Sequence, residues 1–424
     1  MQNRIRFSPL MRAGLTILFV ALFCGGESAL ATNGYFSHGY GIRYKSMAGA
    51  GVAMYLSPMA AANNPGSMAF VGKSYQVSLS FFNPNRQYTV TGKPSGFPQT
   101  FGLTPGTVES DSRLFLIPAL AANWELKETV FFGVAVFGNG GMNTNYPTNT
   151  FYGSTPTGVD LMQLFVAATL SFQFAENHGI GISPIFSFQR FQAQGLEAFR
   201  QFSSAPDKLS NNDYDSATGF GLRLGYFGML SEFLAIGAAY QTRINMSAFS
   251  KYAGLFAGGG DFDIPANWTV GLAVGSEMLT VAFDVQRIMY SSIQSIANPM
   301  LPNLQQAPLG SDGAAGFGWQ DMTVFKIGAQ MKRGEAWTYR AGFSFGKQPI
   351  PEKEVLFNIL APGVIERHLT FGLSRKLSGG KELSLSITRA LTGSVKGPNP
   401  LEAPNQQTIE LKMDQWEFGV ALTF

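Results

Sequence analysis

Cysteine is nearly absent from this chain of 424 residues; Cys24 is the only one. It lies inside an export signal described below, so the mature chain holds none, which excludes disulfides and thiol chemistry. Charge is scarce too. Asp, Glu, Lys and Arg make up 13% of the residues, about half of what a soluble domain carries. The 30 basic and 27 acidic residues nearly balance, which gives nucleic acid no electrostatic footprint. Outside the signal no apolar run reaches the ~18 residues of a helical span. Histidine is limited to His38, His178 and His368. There is no G-x-S-x-G, no metal-ligand cluster and no telling pair of carboxylates. Met47-Ala48-Gly49-Ala50-Gly51 is no dinucleotide loop, because no strand precedes it. Inward serines near His368 allow a Ser-His dyad, but serines are common inside any barrel. The expectation is therefore no enzyme, no catalytic residues, no cofactor and no metal.

Glycine and aromatics are plentiful: 49 glycines, and 13% Phe, Trp and Tyr. Residues 1–31 read as a cleaved signal peptide, with Arg4, Arg6 and Arg12 at its head, an apolar stretch from Ala13 to Phe23, and Ala29-Leu30-Ala31 at the cleavage site. Phe23 immediately before Cys24 argues against lipid attachment there. At the other end, Trp416, Phe418, Val420, Leu422 and Phe424 alternate with Glu417, Gly419, Ala421 and Thr423. That is one membrane-crossing β-strand with an aromatic end.

The same period of two recurs from Ser74 onward, as in Phe220–Tyr226, Trp268–Val274, Trp337–Phe345 and Leu383–Ile387. A β-sandwich also alternates, but the export signal favours lipid as the partner of the apolar face. Short connections lie near 124–128, 175–178, 229–232, 276–277, 332–335 and 377–381. They alternate with long ones near 84–112, 139–160, 193–216, 245–264, 289–320, 347–366 and 392–407. This is the pattern of periplasmic turns and external loops. It predicts an all-β fold, a transmembrane antiparallel β-barrel of about 14 strands over residues 74–424. One phase slip stands out: Ile409, Leu411 and Met413 are apolar at odd positions, the final strand at even ones. Either a β-bulge at Asp414-Gln415 or a strand rising above the membrane with an apolar inner face accounts for it.

Residues 32–73 differ in kind: rich in Gly, Ala and Met, and mostly without alternation. They form either an ordered periplasmic extension or a plug (hatch) inside the lumen, which fourteen strands would otherwise leave open.

The chain resembles the FadL-type outer-membrane transporters of long-chain fatty acids and other hydrophobic compounds. The resemblance rests on G-Y-F-S-H-G-Y-G, Met47 to Ala53 and Asn64-Pro65 in the early segment. Farther on it rests on Ile264 to Leu272, Asp284 to Ile293, Phe317 to Asp321 and the aromatic end. Gly66 departs from the Ala usual in the family after Asn-Pro. The resemblance implies a 14-stranded barrel, an amino-terminal hatch, a hydrophobic path from the external loops, and a sideways exit near the third strand. That strand, expected at Val130–Gly138, runs into Gly138-Asn139-Gly140-Gly141, either a break in the wall or an ordinary loop start.

Candidate site residues follow. Tyr35, Phe36 and His38 either line a pocket or pack the plug. Asn64 and Pro65 fix the plug's fold. A fatty carboxylate would want a lumen cation. Parity turns Arg223, Lys326 and Arg340 inward, with Asp284 and His368, unless these pair with one another. Phe249, Tyr252, Leu255 and Phe256 in one loop, and Leu356 and Phe357 in another, suggest a greasy vestibule or loop packing. The expected function is passive import of hydrophobic molecules across a bacterial outer membrane, with long-chain fatty acids first and aromatic or alkane hydrocarbons second. An adhesive barrel is the alternative. Expected partners are those molecules, outer-membrane lipid and lipopolysaccharide, and the barrel assembly machinery, with the protein a monomer.

Overall fold

A computed structural model describes residues 32–424, so the signal peptide expected at 1–31 lies outside the described residues. The alternating segments form fourteen long antiparallel strands. These are β1 (Ser74–Thr91), β2 (Phe115–Lys127), β3 (Val130–Asn145), β4 (Gly158–Ala175) and β5 (His178–Gln194). Then come β6 (Asp215–Ser231), β7 (Leu234–Gln241), β8 (Asn267–Gly275), β9 (Leu279–Ile288) and β10 (Met322–Arg333). The last are β11 (Trp337–Phe345), β12 (Arg367–Lys376), β13 (Glu382–Pro398) and β14 (Thr408–Thr423). Each pairs with the next, and β14 pairs with β1 from Thr408↔Thr91 to Thr423↔Gln76. The sheet closes on itself, so that no strand is left as an edge along its whole length.

The two faces invert a soluble protein. Phe81, Leu116, Phe172, Ile180, Leu272, Phe325, Phe371 and Phe418 point outward and are exposed. Ser80, Ser183, Ser344 and Ser384 point inward and are buried. Outward apolar groups find membrane hydrocarbon; inward ones must find something inside the barrel.

The strands are unequal. β1 and β4 run 18 residues, β8 and β11 only 9. A crossing needs about 9–11 residues, so the long strands rise well beyond the membrane. This resolves the phase slip. β14 keeps one unbroken register with β1, and its odd positions face inward throughout, from Ile409 to Thr423. The inner face turns from polar below to apolar above. A bulge does exist, but on β13: Leu391 and Thr392 together stand opposite Asp414, where the register shifts between Ala390 and Gly393.

The inner segment, residues 32–73, carries two one-turn helices, α1 (Ile42–Lys45) and α2 (Ala60–Asn63), and a 3-10 turn at Pro65–Phe70. Most of its side chains are buried, and it is bonded to inward-facing groups of the wall. It fits because the wall offers glycines at its level. Gly225, Gly237, Gly271, Gly328, Gly342, Gly372 and Gly419 each lie so close to the segment that a Cβ would collide with it. Gly66 is the reciprocal case: a Cβ there would come within 2.8 Å of the carbonyl oxygens of Gly179 and Gly225, which explains why glycine follows Asn64-Pro65.

Candidate functional site

The interior has two layers. The lower one is polar and ties the inner segment to the wall. Lys45 forms an ion pair with Glu417, whose second oxygen lies 3.9 Å from His38. His38 stacks on His368 with ring centroids 5.2 Å apart, and its carbonyl accepts from Lys326 at 3.0 Å. Asp284 accepts from the backbone of Gly51 (2.8 Å) and Val52 (2.9 Å). Asn64 caps the 3-10 turn through Gly66 (3.0 Å) and donates to Val52 (2.7 Å) and Tyr226 (2.8 Å); Pro65 begins that turn.

The three inward cations expected to meet a carboxylate all belong to this layer. Arg223 donates to the Ala62 carbonyl and to Gln241. Lys326 holds His38. Arg340 holds Gln330 (2.7 Å) and Ser374 (2.6 Å). Replacing Arg223 by Met strands two acceptors at about 1–3 kcal/mol each. The expected result is a lower urea midpoint for the barrel with an unchanged ratio of oleate to toluene uptake. A shifted ratio would make Arg223 a ligand contact.

The upper layer is apolar. Phe191 of β5 sits 4.8 Å from Tyr252, 4.8 Å from Phe256 and 5.4 Å from Phe249. Phe256 reaches Phe262 at 4.8 Å, and Phe262 reaches Tyr35 at 6.3 Å. Tyr35 in turn lies 5.3 Å from Phe36, 5.3 Å from Tyr290 and 5.8 Å from Trp319. These spacings are those of interacting aromatic pairs. They make a continuous aromatic lining from the external loops to the tip of the inner segment. Beside it, Phe151, Phe199, Leu255, Phe317, Phe357 and Leu360 help enclose a cavity of about 50 Å³.

The loop residues that suggested a greasy vestibule or loop packing are turned inward. Phe249, Tyr252, Phe256 and Leu356 are buried and only Leu255 and Phe357 are half-buried, because three loops fold over the short side of the barrel and cover one another. Residues 242–266 also carry Asp261, Asp263 and Arg243. The Arg243 guanidinium bonds Asp263 at 2.6 Å and stands 3.9 Å from Asp261. Burial, then Asp263, pushes the Asp261 carboxyl up to about 6, against the pull of Arg243. Folding of this loop therefore favours the protonated acid. That contribution is complete below the ordinary value of 3.8 and is lost as pH rises through about 6. The loop is expected to resist protease better near about pH 5 than near about pH 7.5, and Asp261→Asn to abolish the difference; equal digestion of the native chain at both would refute this.

The wall is broken where the aromatic lining ends. β2 and β3 pair from Lys127↔Val130 only as far as Leu120↔Val136. Above that, Phe115–Ala119 and Phe137–Asn145 have no pairing with one another among the described residues. β3 does not stop at Gly138, as the sequence suggested, but runs on to Asn145 against β4. Its register steps from Gly138↔Leu164 to Gly140↔Gln163, leaving Asn139 as a bulge. The inner segment fills the place β2 vacates: Phe36 pairs with Gly140, and Gly141 donates to the Tyr35 carbonyl at 3.1 Å. Gly140 has to be glycine, since a Cβ would overlap the Tyr35 carbonyl. Asn139 accepts from the Tyr40 hydroxyl at 2.6 Å and donates to Gln163 at 2.8 Å. Small cavities of about 20 Å³ each lie on either side of this bridge, one beside Phe137 and Gly138, the other beside Gly141 and Trp319.

Tyr35 and Phe36 thus meet Gly138–Gly141 at one place, while His38, Asn64 and Pro65 belong to the anchoring layer. Phe262, Tyr290 and Trp319 were not singled out from the sequence. Tyr290 and Trp319 fall in the resembling stretches Asp284–Ile293 and Phe317–Asp321, the one signal that pointed to them.

A family model described as outer membrane protein transport protein (OMPP1/FadL/TodX) matches residues 28–362. Among solved structures, the Pseudomonas putida toluene transporter TodX is 20% identical, with 91% of this chain and 98% of that one covered and a TM-score of 0.67. A Pseudomonas aeruginosa FadL homologue is 15% identical, with 92% and 99% covered and a TM-score of 0.69. The Ralstonia pickettii toluene transporter TbuX is 19% identical, with 91% and 98% covered and a TM-score of 0.62. At these identities the likeness carries the fold. No curated protein gives a significant match.

Proposed function

This chain belongs to the OMPP1/FadL/TodX family of outer-membrane transport proteins, and from that premise we propose that it is a passive, plug-gated channel for small hydrophobic molecules, aromatic ones foremost. Residues 1–31 serve as a removed signal, 32–73 as the plug and 74–424 as the barrel, which the assembly machinery inserts as a monomer among lipid and lipopolysaccharide. The observation that carries this reading is the wall break between β2 and β3, closed by Tyr35 and Phe36 at the end of an unbroken aromatic lining. A molecule caught among the loops passes along that lining and leaves sideways. Membrane hydrocarbon waits beyond the break, and burial of apolar surface at about 25 cal/mol per Å² drives the transfer without another energy source.

The closed state is tight. A cavity of about 50 Å³ is smaller than the ~150 Å³ site that takes up benzene elsewhere. Binding must therefore displace side chains, and Tyr35 and Phe36 are the stopper it moves. The plug as a whole stays, because wall glycines and buried polar bonds key it in place.

Aromatic rings are the first substrate class, because ring faces and edges line the whole path. Long-chain fatty acid is the second reading. Its support is Arg86, buried on the inner face beside Met142, Trp319 and Met413, a cation at the path that one hydrogen bond to the Ser112 carbonyl (2.7 Å) also engages. The test is uptake of labelled toluene and labelled oleate by cells lacking their own hydrophobic-compound channels, with and without this chain. Enhanced toluene uptake supports the aromatic reading, and enhanced oleate uptake alone supports the second. Neither, with a folded barrel in the outer membrane, would sink both in favour of an adhesive role.

A further inference from the structure

Inside the apolar upper layer stands a polar ledge. Gln163 of β4 and Gln189 of β5 are direct cross-strand partners. Both are wholly buried, with Leu161 and Phe165 flanking one and Phe191 the other on the same inner face. Directly opposed side chains on one face of a sheet lie within about 5 Å at Cβ. Gln163 also pairs with Gly140, where the stopper crosses the wall break. The Tyr35 hydroxyl, almost fully buried, is within reach of a side-chain hydrogen bond from Gln163.

These groups are poised but unmatched. Asn139 pins the Gln163 carbonyl oxygen at 2.8 Å, which leaves the amide nitrogen to face elsewhere. Both amide atoms of Gln189 have no hydrogen-bond partner among the described residues, and the Tyr35 hydroxyl, with Gln163 at its oxygen, has no acceptor for its proton. Buried polar groups in native proteins are nearly always satisfied, and exceptions call for a water, a ligand or a role.

Resting on the channel reading above, we infer that Gln163, Gln189 and the Tyr35 hydroxyl form a recognition site for a hydroxyl group on the hydrophobic substrate. The Gln189 amide nitrogen and the Tyr35 hydroxyl, itself held by the Gln163 amide, donate to the two lone pairs of the substrate oxygen, and the Gln189 carbonyl accepts its proton. This complement of donors and one acceptor fits a phenol or an aryl alcohol. A bare hydrocarbon leaves it unmatched, and a carboxylate has no proton to give. A site built to bond a hydroxyl discriminates strongly against the analogue that lacks it, because its own buried groups then stay unpaired. The substrate class is therefore a hydroxylated aromatic, held at the exit with its ring among Tyr35, Tyr290 and Trp319.

The test compares toluene, p-cresol and p-toluate, alike but for the head. In cells carrying the native chain, p-cresol is expected to compete with labelled toluene at about tenfold lower concentration than unlabelled toluene does, and p-toluate to compete no better than toluene. In the double variant Gln163→Met, Gln189→Met, the p-cresol preference is expected to collapse about tenfold, and in Tyr35→Phe to fall by a smaller factor. The competition in native cells stands even if the double variant fails to assemble. Equal competition by p-cresol and toluene overturns the site, and leaves an internal water as what the amides hold. Preference for p-toluate overturns the hydroxyl assignment. Absence of any toluene or p-cresol uptake with the native chain overturns the channel reading and this proposal together, which separates the two failures.

Discussion

Deleting Asn139 is expected to cut facilitated toluene uptake by at least about tenfold while the barrel still reaches the outer membrane as a heat-modifiable species. Asn139 is the one residue by which β3 exceeds β4 at the bulge, where Gly138↔Leu164 gives way to Gly140↔Gln163. Without it those pairs become consecutive, the strand straightens, and its upper half runs beside Phe115–Ala119 of β2 instead of leaving them. The break closes with backbone hydrogen bonds, and each ~1.4 kcal/mol added to the exit barrier slows passage tenfold. The side chain is a separate matter. Asn139→Ala keeps the bulge but loses the bonds to Tyr40 and Gln163, so its loss should be the milder one. If the deletion transports as well as the native chain, the exit lies elsewhere. If the alanine variant is equally inactive, the side chain rather than the opening is what matters.

Gly342→Val is the second large effect. Gly342 faces inward on β11, between Gly328 and Thr370. A Cβ there would stand 2.5 Å from the Ala48 nitrogen and closer still to the Met47 backbone. Overpacking a core usually costs about 1–3 kcal/mol; here the obstacle is main chain, which cannot rotate away, so about 3 kcal/mol or more is expected. The inner segment must lift from the wall. That should lower the unfolding midpoint of the purified barrel and let a bulky polar antibiotic cross the outer membrane. Gly342→Ala brings the same Cβ and should show most of the effect. Native midpoints and unchanged antibiotic resistance in both variants would mean that the segment is not keyed by these glycines.

The sequence by itself determined the architecture. Alternation from Ser74 to Phe424, the two sizes of connection and the low charge led to a fourteen-stranded barrel, and every short turn fell within a few residues of its expected place. These features were legible because they are local: a period of two reports which face of a strand meets lipid, whatever lies on the other side of the barrel. Parity likewise turned Arg223, Lys326 and Arg340 inward, correctly as to direction. What lay inside was another matter. Whether an inward cation meets a substrate or the carbonyl of Ala62 depends on a partner 161 residues away. Along the sequence Gly419 only alternates with apolar neighbours, yet it and the other wall glycines form the seat of the inner segment. A glycine's meaning is the space beside it, and that space belongs to other parts of the chain. The break at β3 had a signal in Gly138–Gly141, but only the paired strands decided that the wall opens on the β2 side and that Tyr35 and Phe36 close it. Phe262, Tyr290 and Trp319 join Tyr35 through loops whose own sequences specify no direction. Secondary structure here follows from nearest neighbours and the membrane; the site follows from which distant segments the closed barrel brings together.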